Sequence, residues 1–440
     1  MISLWHRRLE KIAQLMWVRA AFFAVVGVAA ALLAVQLEPF VPEDLPAKLG
    51  SDAVHQILNI LASSMLAVTT FSLSVMVASY ASATNNVSPR ATRLVREDPT
   101  TQNVLAVFLG SFLFSLVGIV ALNTGYYSDR GRFVLFIVSI GVIGIIVFTM
   151  LRWIDHLTRL GRVAETIARV EKATLEAIEV RRKNPFLGGR RLDDAHRSAM
   201  KRGDPIYPSR IGYIAYIDME SIGSAAKELG AKVLVCALPG TFVHTSRPIA
   251  MVVSDSLEAQ ERGVASGPKD EKKEACDQVQ NAFEVTDERS FSQDPRFGLS
   301  VLAEIATRAV SPAINDAGTA IDVLGRAVRL LAPWVKGNPD DDADAASCPR
   351  VFVPELNIDE MFGDVFSPIA RDGAKIFEVQ IRLLKSLLAL AELGDAPARG
   401  AALRCAQQAL ERSEPAMELS HEKEQLRAIV EEIRQLVTPQ

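Results

Sequence analysis

The sequence predicts a membrane α-helical protein with four transmembrane helices. These are joined to a cytoplasmic α+β domain with a small β-barrel-like module and a helical C-terminal region. Three observations lead there. Four long apolar stretches fall within residues 18–152, with Arg19 opening the first and Arg152 closing the last. Charged residues become frequent only after 152. Runs with strand character then appear between 205 and 254, followed by amphipathic helical patterns.

A bilayer core about 30 Å thick needs roughly 20 apolar residues in a helix. The stretches at 18–37, 56–80, 102–124 and 133–152 meet that length. No small-residue cleavage site follows the first, so it reads as a retained helix and not a signal peptide. Lys and Arg set the orientation. Arg7, Arg8, Lys11 and Arg19 precede the first span, Arg90, Arg93 and Arg96 follow the second, and Arg152, Arg159, Arg162, Arg169 and Lys172 follow the fourth. Both termini and the large C-terminal part are therefore expected in the cytoplasm. Residues 1–17 place Trp5, Leu9, Ile12 and Met16 on one helical face and read as an interfacial amphipathic helix.

The second span differs from the others. Ser63, Thr70, Val77 and Thr84 recur every seven residues, and Ala67, Ser74 and Ala81 fill the same stripe. Small and hydroxyl residues suit close helix packing, and they equally suit a water-lined path. Both readings are open from the sequence. In the second, these seven residues line a pore and Arg90, Arg93 and Arg96 ring its cytoplasmic mouth. An inorganic anion or another small ion is then the cargo. No ionisable group stands in the middle of a span, which disfavours a proton relay or a charge-coupled pump.

Beyond the spans, residues 153–204 form a helical linker, in which 155–183 continue the fourth span until Asn184-Pro185. Residues 205–290 form the small β-rich module, with strand runs IGYIAYID, KVLVCALP and IAMVVS, a short helix MESIGSAAKELG and a strand AFEVTD. The segment 257–278 reads as a charged connection and 340–344 as an acidic loop. Residues 291–440 are mostly helical. Asp294-Pro295 is an N-cap with proline at the first helical position, Pro312 stops that helix near Val310, and Asn315 or Asp316 caps the next, which runs to about Leu331. Further helices are expected near 358–364, 367–393, 396–412 and 420–437. Arg289, Asp294, Arg296, Arg308, Ser311, Asn315, Asp316 and Thr319 gather in this region as a polar cluster that suits either an anion site or a set of caps and ion pairs.

Several function classes are disfavoured. A net charge of −4 gives no reason to expect nucleic acid. Cys236, Cys276, Cys348 and Cys405 form no C-x-x-C pair, and the histidines show no ligand spacing, so no metal and no cofactor is expected. No Walker loop, dinucleotide fingerprint or H-E-x-x-H occurs, and Ser311 has no histidine nearby, so no catalytic residues are assigned and the chain does not read as an enzyme.

Three stretches carry a family likeness: FSLSVMVASYASATNNVSPR, GYIAYIDMESIGSAA with LPGTFV, and DPRFGLSVLAEIATRAVSPAINDAGTA. In these the chain resembles a prokaryotic family of four-span predicted membrane proteins of unknown function. Ala317 departs from the proline common in that family after the Asn-Asp pair. The resemblance implies a bacterial plasma membrane and brings no activity. The sequence thus leaves two functions in view. One is a homo-oligomeric channel or transport-like protein in the lipid bilayer. The other is a membrane-anchored sensor or scaffold that conducts nothing.

Overall fold

The computed structural model describes residues 16–33, 36, 51–92, 94, 98–159, 161–254, 269–337 and 346–437. The expected interfacial helix (except for residues 16 and 17), Arg93, Arg96 and the acidic loop at 340–344 lie outside these residues. The chain divides into two units, Trp5–Thr166 and Ile167–Gln440, the latter together with Met1–Leu4.

The first unit is built from apolar helices: α1 Met16–Leu33, α2 Ser51–Asn86, α3 Pro99–Asn123 and α4 Asp129–Arg159. Three of them, Ala53–Ser82 within α2 and the whole of α3 and α4, are long and apolar enough to cross a membrane. α1 is equally apolar but shorter, Val18–Leu33, and the end of the expected first span passes beyond the described residues. α2 has 36 residues, which at about 1.5 Å each is longer than a bilayer core.

α3 is the central helix. Asp98 caps it by accepting from the Thr101 amide, with Pro99 next in line. Its Phe108 and Phe114 are fully buried, packed with Leu61, Met65 and Ile146 at one level and with Leu58 and Leu135 at another. α1 lies against α3 at a glycine contact. A Cβ at Gly27 would sit 2.6 Å from the Gly110 carbonyl oxygen, and one at Gly110 would sit 2.8 Å from that of Phe23. Phe22, Val25, Phe71, Ile137, Phe148 and Leu151 remain exposed, as expected of helices whose outer surface meets hydrocarbon.

The fourth span does not run on to residue 183 as one helix. α4 ends at Arg159 and α5 spans Val163–Lys183. Between them Gly161 takes φ +78°, a left-handed conformation that stops a helix at little cost only for glycine.

In the second unit, five strands form a mixed sheet: β1 Arg190–Arg191, β2 Asp204–Ile206, β4 Ala231–Val235, β6 Ala250–Ser254 and β8 Val351–Val353, in the order β1-β8-β4-β6-β2. β8 pairs parallel with β1 and β4, and the other pairs are antiparallel. Three more strands, β3 Gly212–Ile217, β5 Phe242–Val243 and β7 Phe283–Thr286, form an antiparallel sheet in the order β5-β3-β7. Helices α6 Asp194–Ala199, α7 Met219–Glu228 and α8 Lys269–Asn281 accompany them. Ile214, Ile217, Ile222, Val233, Val279 and Val351 fill the shared core.

The β-rich module therefore differs from the expected one. Among the described residues its strands form two open sheets and no closed barrel, and β1 and β8 come from outside 205–290. The expected charged connection at 257–278 holds α8 at its C-terminal end.

The rest is helical: α9 Pro295–Ala309, α10 Ala317–Val335, α11 Ile358–Asp372, α12 Phe377–Leu393, α13 Ala396–Ser413 and α14 Ser420–Val437. Two helix ends differ from expectation. α10 continues past Leu331 through Pro333, and α11 runs through Pro368 before the chain turns at Gly373. A proline inside a helix forfeits one hydrogen bond. Here the residues around each are anchored: Leu330, Leu331 and Val335 in α10, and Val365, Phe366 and Ile369 in α11, are all buried. α5 crosses α9 closely, since a Cβ at Gly298 would fall 1.9 Å from the Thr174 hydroxyl oxygen.

Candidate functional site

Two groups of residues stand out from the sequence, one in each unit. In α2, Ser63, Ala67, Thr70, Ser74, Val77 and Ala81 are all exposed in the single chain. The packed face of the helix is Val54, Leu58, Leu61, Met65, Ser72, Met76 and Ser79. At about 100° per residue the two lines lie roughly 180° apart. Among the described residues the stripe thus points away from α3 and α4. Ile60, Leu66, Phe71 and Leu73 form exposed apolar shoulders beside it.

Three hydroxyls on the stripe bond back to their own helix. Ser63 donates to the Asn59 carbonyl (2.9 Å), Thr70 to Leu66 (2.9 Å) and Ser74 to Thr70 (3.0 Å). Each oxygen keeps lone pairs for a further partner. Thr84 continues the helix, with its side chain outside the described set. After α2 the chain turns inward on Val87, Ser88 and Ala91, all buried, while Arg90 stays exposed.

The polar cluster of the second unit separates into two places. Its members sit at opposite ends of α9, a 15-residue helix about 22 Å long. At the N-terminal end, Asp294 is 2% exposed. It caps the helix through the Phe297 amide and receives Arg289 Nε at 2.8 Å and Nη2 at 3.1 Å. Arg296 points elsewhere, to Asp364 (2.6 Å) and Glu360.

Two residues that sequence reasoning missed complete this end. Gly240, at φ +89°, lies against the Asp294 carboxylate, 2.2 Å from where its Cβ would stand. Arg181 of α5 is 2% exposed. Its Nε has no partner, and its Nη2 reaches only the Pro354 carbonyl at 3.5 Å. Burial pushes the Arg181 guanidinium down to about 10, against the pull of Asp294. It therefore still carries its charge at neutral pH. Burial likewise pushes the Asp294 carboxyl up, opposed by Arg289 and the Phe297 amide. Arg181 and Gly240 are far from Asp294 in sequence, and no local pattern marks either.

At the other end, the α9–α10 corner is an exposed, internally satisfied turn. Ser311 donates to the Arg308 carbonyl (2.6 Å), the Asn315 amide to Ser311 (2.8 Å) and the Asp316 amide to Ala309 (2.8 Å). Asn315 is left-handed at φ +51°, a region asparagine tolerates. Asp316 caps α10 and accepts from both the amide (3.0 Å) and the hydroxyl (2.6 Å) of Thr319. Those two bonds, the hydroxyl first, hold the Asp316 carboxyl below its ordinary value.

Asp316→Ala is expected to cost about 1 kcal/mol, the usual worth of such a cap. The contribution is complete above the unfolded carboxylate value near 3.9 and is lost as pH falls through the lowered folded value. Denaturant unfolding at pH 7 and pH 3 measures both, and the variant should differ from wild type less at pH 3.

Burial pushes the thiols of Cys236 and Cys405 up to about 11. Among the described residues no three His, Cys, Asp or Glu side chains converge as metal ligands.

The family model for a predicted membrane protein, DUF2254, matches residues 13–389. The chain belongs to this family. Uncharacterized proteins of Mycobacterium bovis and Mycobacterium tuberculosis are similar to it, each 24% identical over 272 residues. That alignment covers 61% of this chain and 50% of each relative, so the chain spans about half the length of the curated relatives it matches. No solved structure matches. The membership agrees with the apolar helices of the first unit: this is a membrane protein with transmembrane helices.

Proposed function

We propose that the protein is a homo-oligomer in a bacterial inner membrane, in which copies of α2 face one another around a path for a small ion. In this reading α1 is a fourth span. Both termini and the C-terminal unit lie in the cytoplasm, and that unit serves assembly or gating and not catalysis. The carrying observation is the direction of the α2 stripe. A helix whose outer line is Ser63, Ala67, Thr70, Ser74, Val77 and Ala81 gains little from hydrocarbon on that line, where Val77 alone is large and apolar, whereas small residues allow close approach of a second helix and hydroxyls suit water. Arg90, together with Arg93 and Arg96, follows the stripe and supplies positive charge at the cytoplasmic mouth, which favours anions.

The second reading is a non-conducting membrane-anchored sensor or scaffold. It is favoured by the internal bonds of Ser63, Thr70 and Ser74, which make the stripe tolerable to lipid. Ion flux into proteoliposomes separates the two. The first expects flux that Ser74→Leu reduces at least about tenfold by replacing a hydroxyl with a bulky apolar group in the path. Absence of flux of chloride, phosphate, potassium and sodium alike would remove it.

A further inference from the structure

The helical end of the second unit carries a surface that the α2 reading leaves unused. α14 is an 18-residue helix. It turns Leu426, Ile429, Val430 and Ile433 inward, all buried. Glu424, Arg427, Glu431 and Arg434 are exposed. At about 100° per residue these four fall within roughly 80° of one another, so they form one line along the helix. Their signs alternate.

The line borders a groove of about 480 Å³, in which Leu410 of α13 meets Ala428 and Val430 of α14. An apolar floor with a charged rim is the usual anatomy of a protein contact. The family model ends at residue 389, so both helices that frame the groove lie beyond it. Within one chain, Arg434 pairs with Glu431 on its own helix and Arg427 with Glu414. These pairs lie on the surface, where an ion pair contributes little. Either arginine can therefore turn to a carboxylate across a contact.

We propose that this face of α14 docks, antiparallel, on the same face of a second copy of the chain, about a two-fold axis at the level of Ile429. The order of the charges sets the direction. Glu424 and Arg434 stand five residues to either side of 429, and Arg427 and Glu431 stand two to either side. An antiparallel pair thus sets Glu424 of each copy against Arg434 of the other, and Arg427 against Glu431. That gives four opposite-charge pairs along about 15 Å of helix. A parallel pair in register sets like charge on like charge, which repels. Ala428, beside the axis, has no long side chain to hold the two backbones apart.

A contact of this kind is isologous and closes at two copies. A partner of a single sign, such as nucleic acid or an anionic lipid surface, meets as much repulsion as attraction on this line. The contact is separate from the α2 stripe, and it stands whether or not the protein conducts.

Disulfide trapping in the full-length protein in detergent tests it. A single cysteine is placed at Ala428, or at the exposed Gln435, in a chain whose four native cysteines are replaced by serine. In the antiparallel pair the two 428 positions are offset by only about 3 Å along the helix, and the two 435 positions by about 18 Å. Mild oxidation should therefore link copies through 428 at least about tenfold more than through 435, since a disulfide needs its Cα atoms within about 7 Å. Arg427→Glu with Arg434→Glu makes the line wholly acidic, and Glu424→Arg with Glu431→Arg makes it wholly basic. Each double variant alone is expected to lower trapping through 428 about tenfold. Co-expression of the two is expected to restore it, which also shows that both fold. Absence of trapping at 428 with the natural charges overturns the contact, as does equal trapping at 428 and 435. Trapping that charge reversal leaves unchanged, or that co-expression does not restore, overturns it too.

Discussion

Asp294→Ala is expected to lower the stability of the C-terminal unit by about 3–5 kcal/mol, the usual result of leaving a buried charge without its partner. The cap accounts for only about 1 kcal/mol of that. The larger share comes from Arg181, which is 2% exposed and has no bonded carboxylate of its own. Arg289 is 22% exposed in its side chain and can turn to water once its carboxylate is gone, while Arg181 cannot. Asp294→Asn separates the two contributions, since asparagine caps about as well as aspartate but brings no charge. It should recover about 1 kcal/mol of the loss and no more. Hydrogen exchange of α9 amides in the full-length protein measures both variants. Arg181→Met in the Asp294→Ala background should restore protection, because the stranded charge is then absent. Failure to do so would locate the loss elsewhere.

The second large effect is in the membrane unit. Gly110→Leu is expected to drive α1 off α3, because even a Cβ at that position stands 2.8 Å from the Phe23 carbonyl oxygen, and backbone cannot yield as a flexible side chain does. The overpacking cost is about 1–3 kcal/mol when neighbours can shift, and the contact here is backbone on both sides. Gly141→Leu on α4 is the control. Nothing lies within 4 Å of a Cβ there, so the same added bulk should leave the thermal stability of the detergent-solubilised protein unchanged. Equal losses in the two variants would mean that bulk, and not the α1–α3 contact, is what matters.

The spans were legible because hydrocarbon imposes one simple requirement, length without charge, and α2, α3 and α4 meet it. Their ends were less so. The break at Gly161 sits inside a stretch whose apolar spacing looks continuous, and only the left-handed backbone reveals it. α10 and α11 run on past the expected ends through Pro333 and Pro368, where burial of the neighbouring residues outweighs the lost hydrogen bond. The caps at Asp294 and Asp316 were readable, being local chemistry. Asp98-Pro99 repeats the Asp294-Pro295 signal and was available by the same rule.

What the sequence does not carry is long-range pairing. β8 joins β1 and β4 across more than a hundred residues, and Gly240 lies against a carboxylate, Asp294, that no spacing predicts. The α2 stripe is intermediate: its composition was plain, while its direction became known only from which residues of the helix are packed.

That direction is the foundation of the functional account, and thiol labelling measures it most directly. Single cysteines at Thr70, Ser74 and Ala81, in a protein whose four native cysteines are replaced by serine, are to be challenged in intact membranes with a charged, water-soluble thiol reagent. The account predicts that these positions react, while Phe71 and Leu73 on the shoulders do not. Protection of the stripe from the aqueous reagent, with labelling there only by a lipid-soluble one, would place α2 against the bilayer and contradict it.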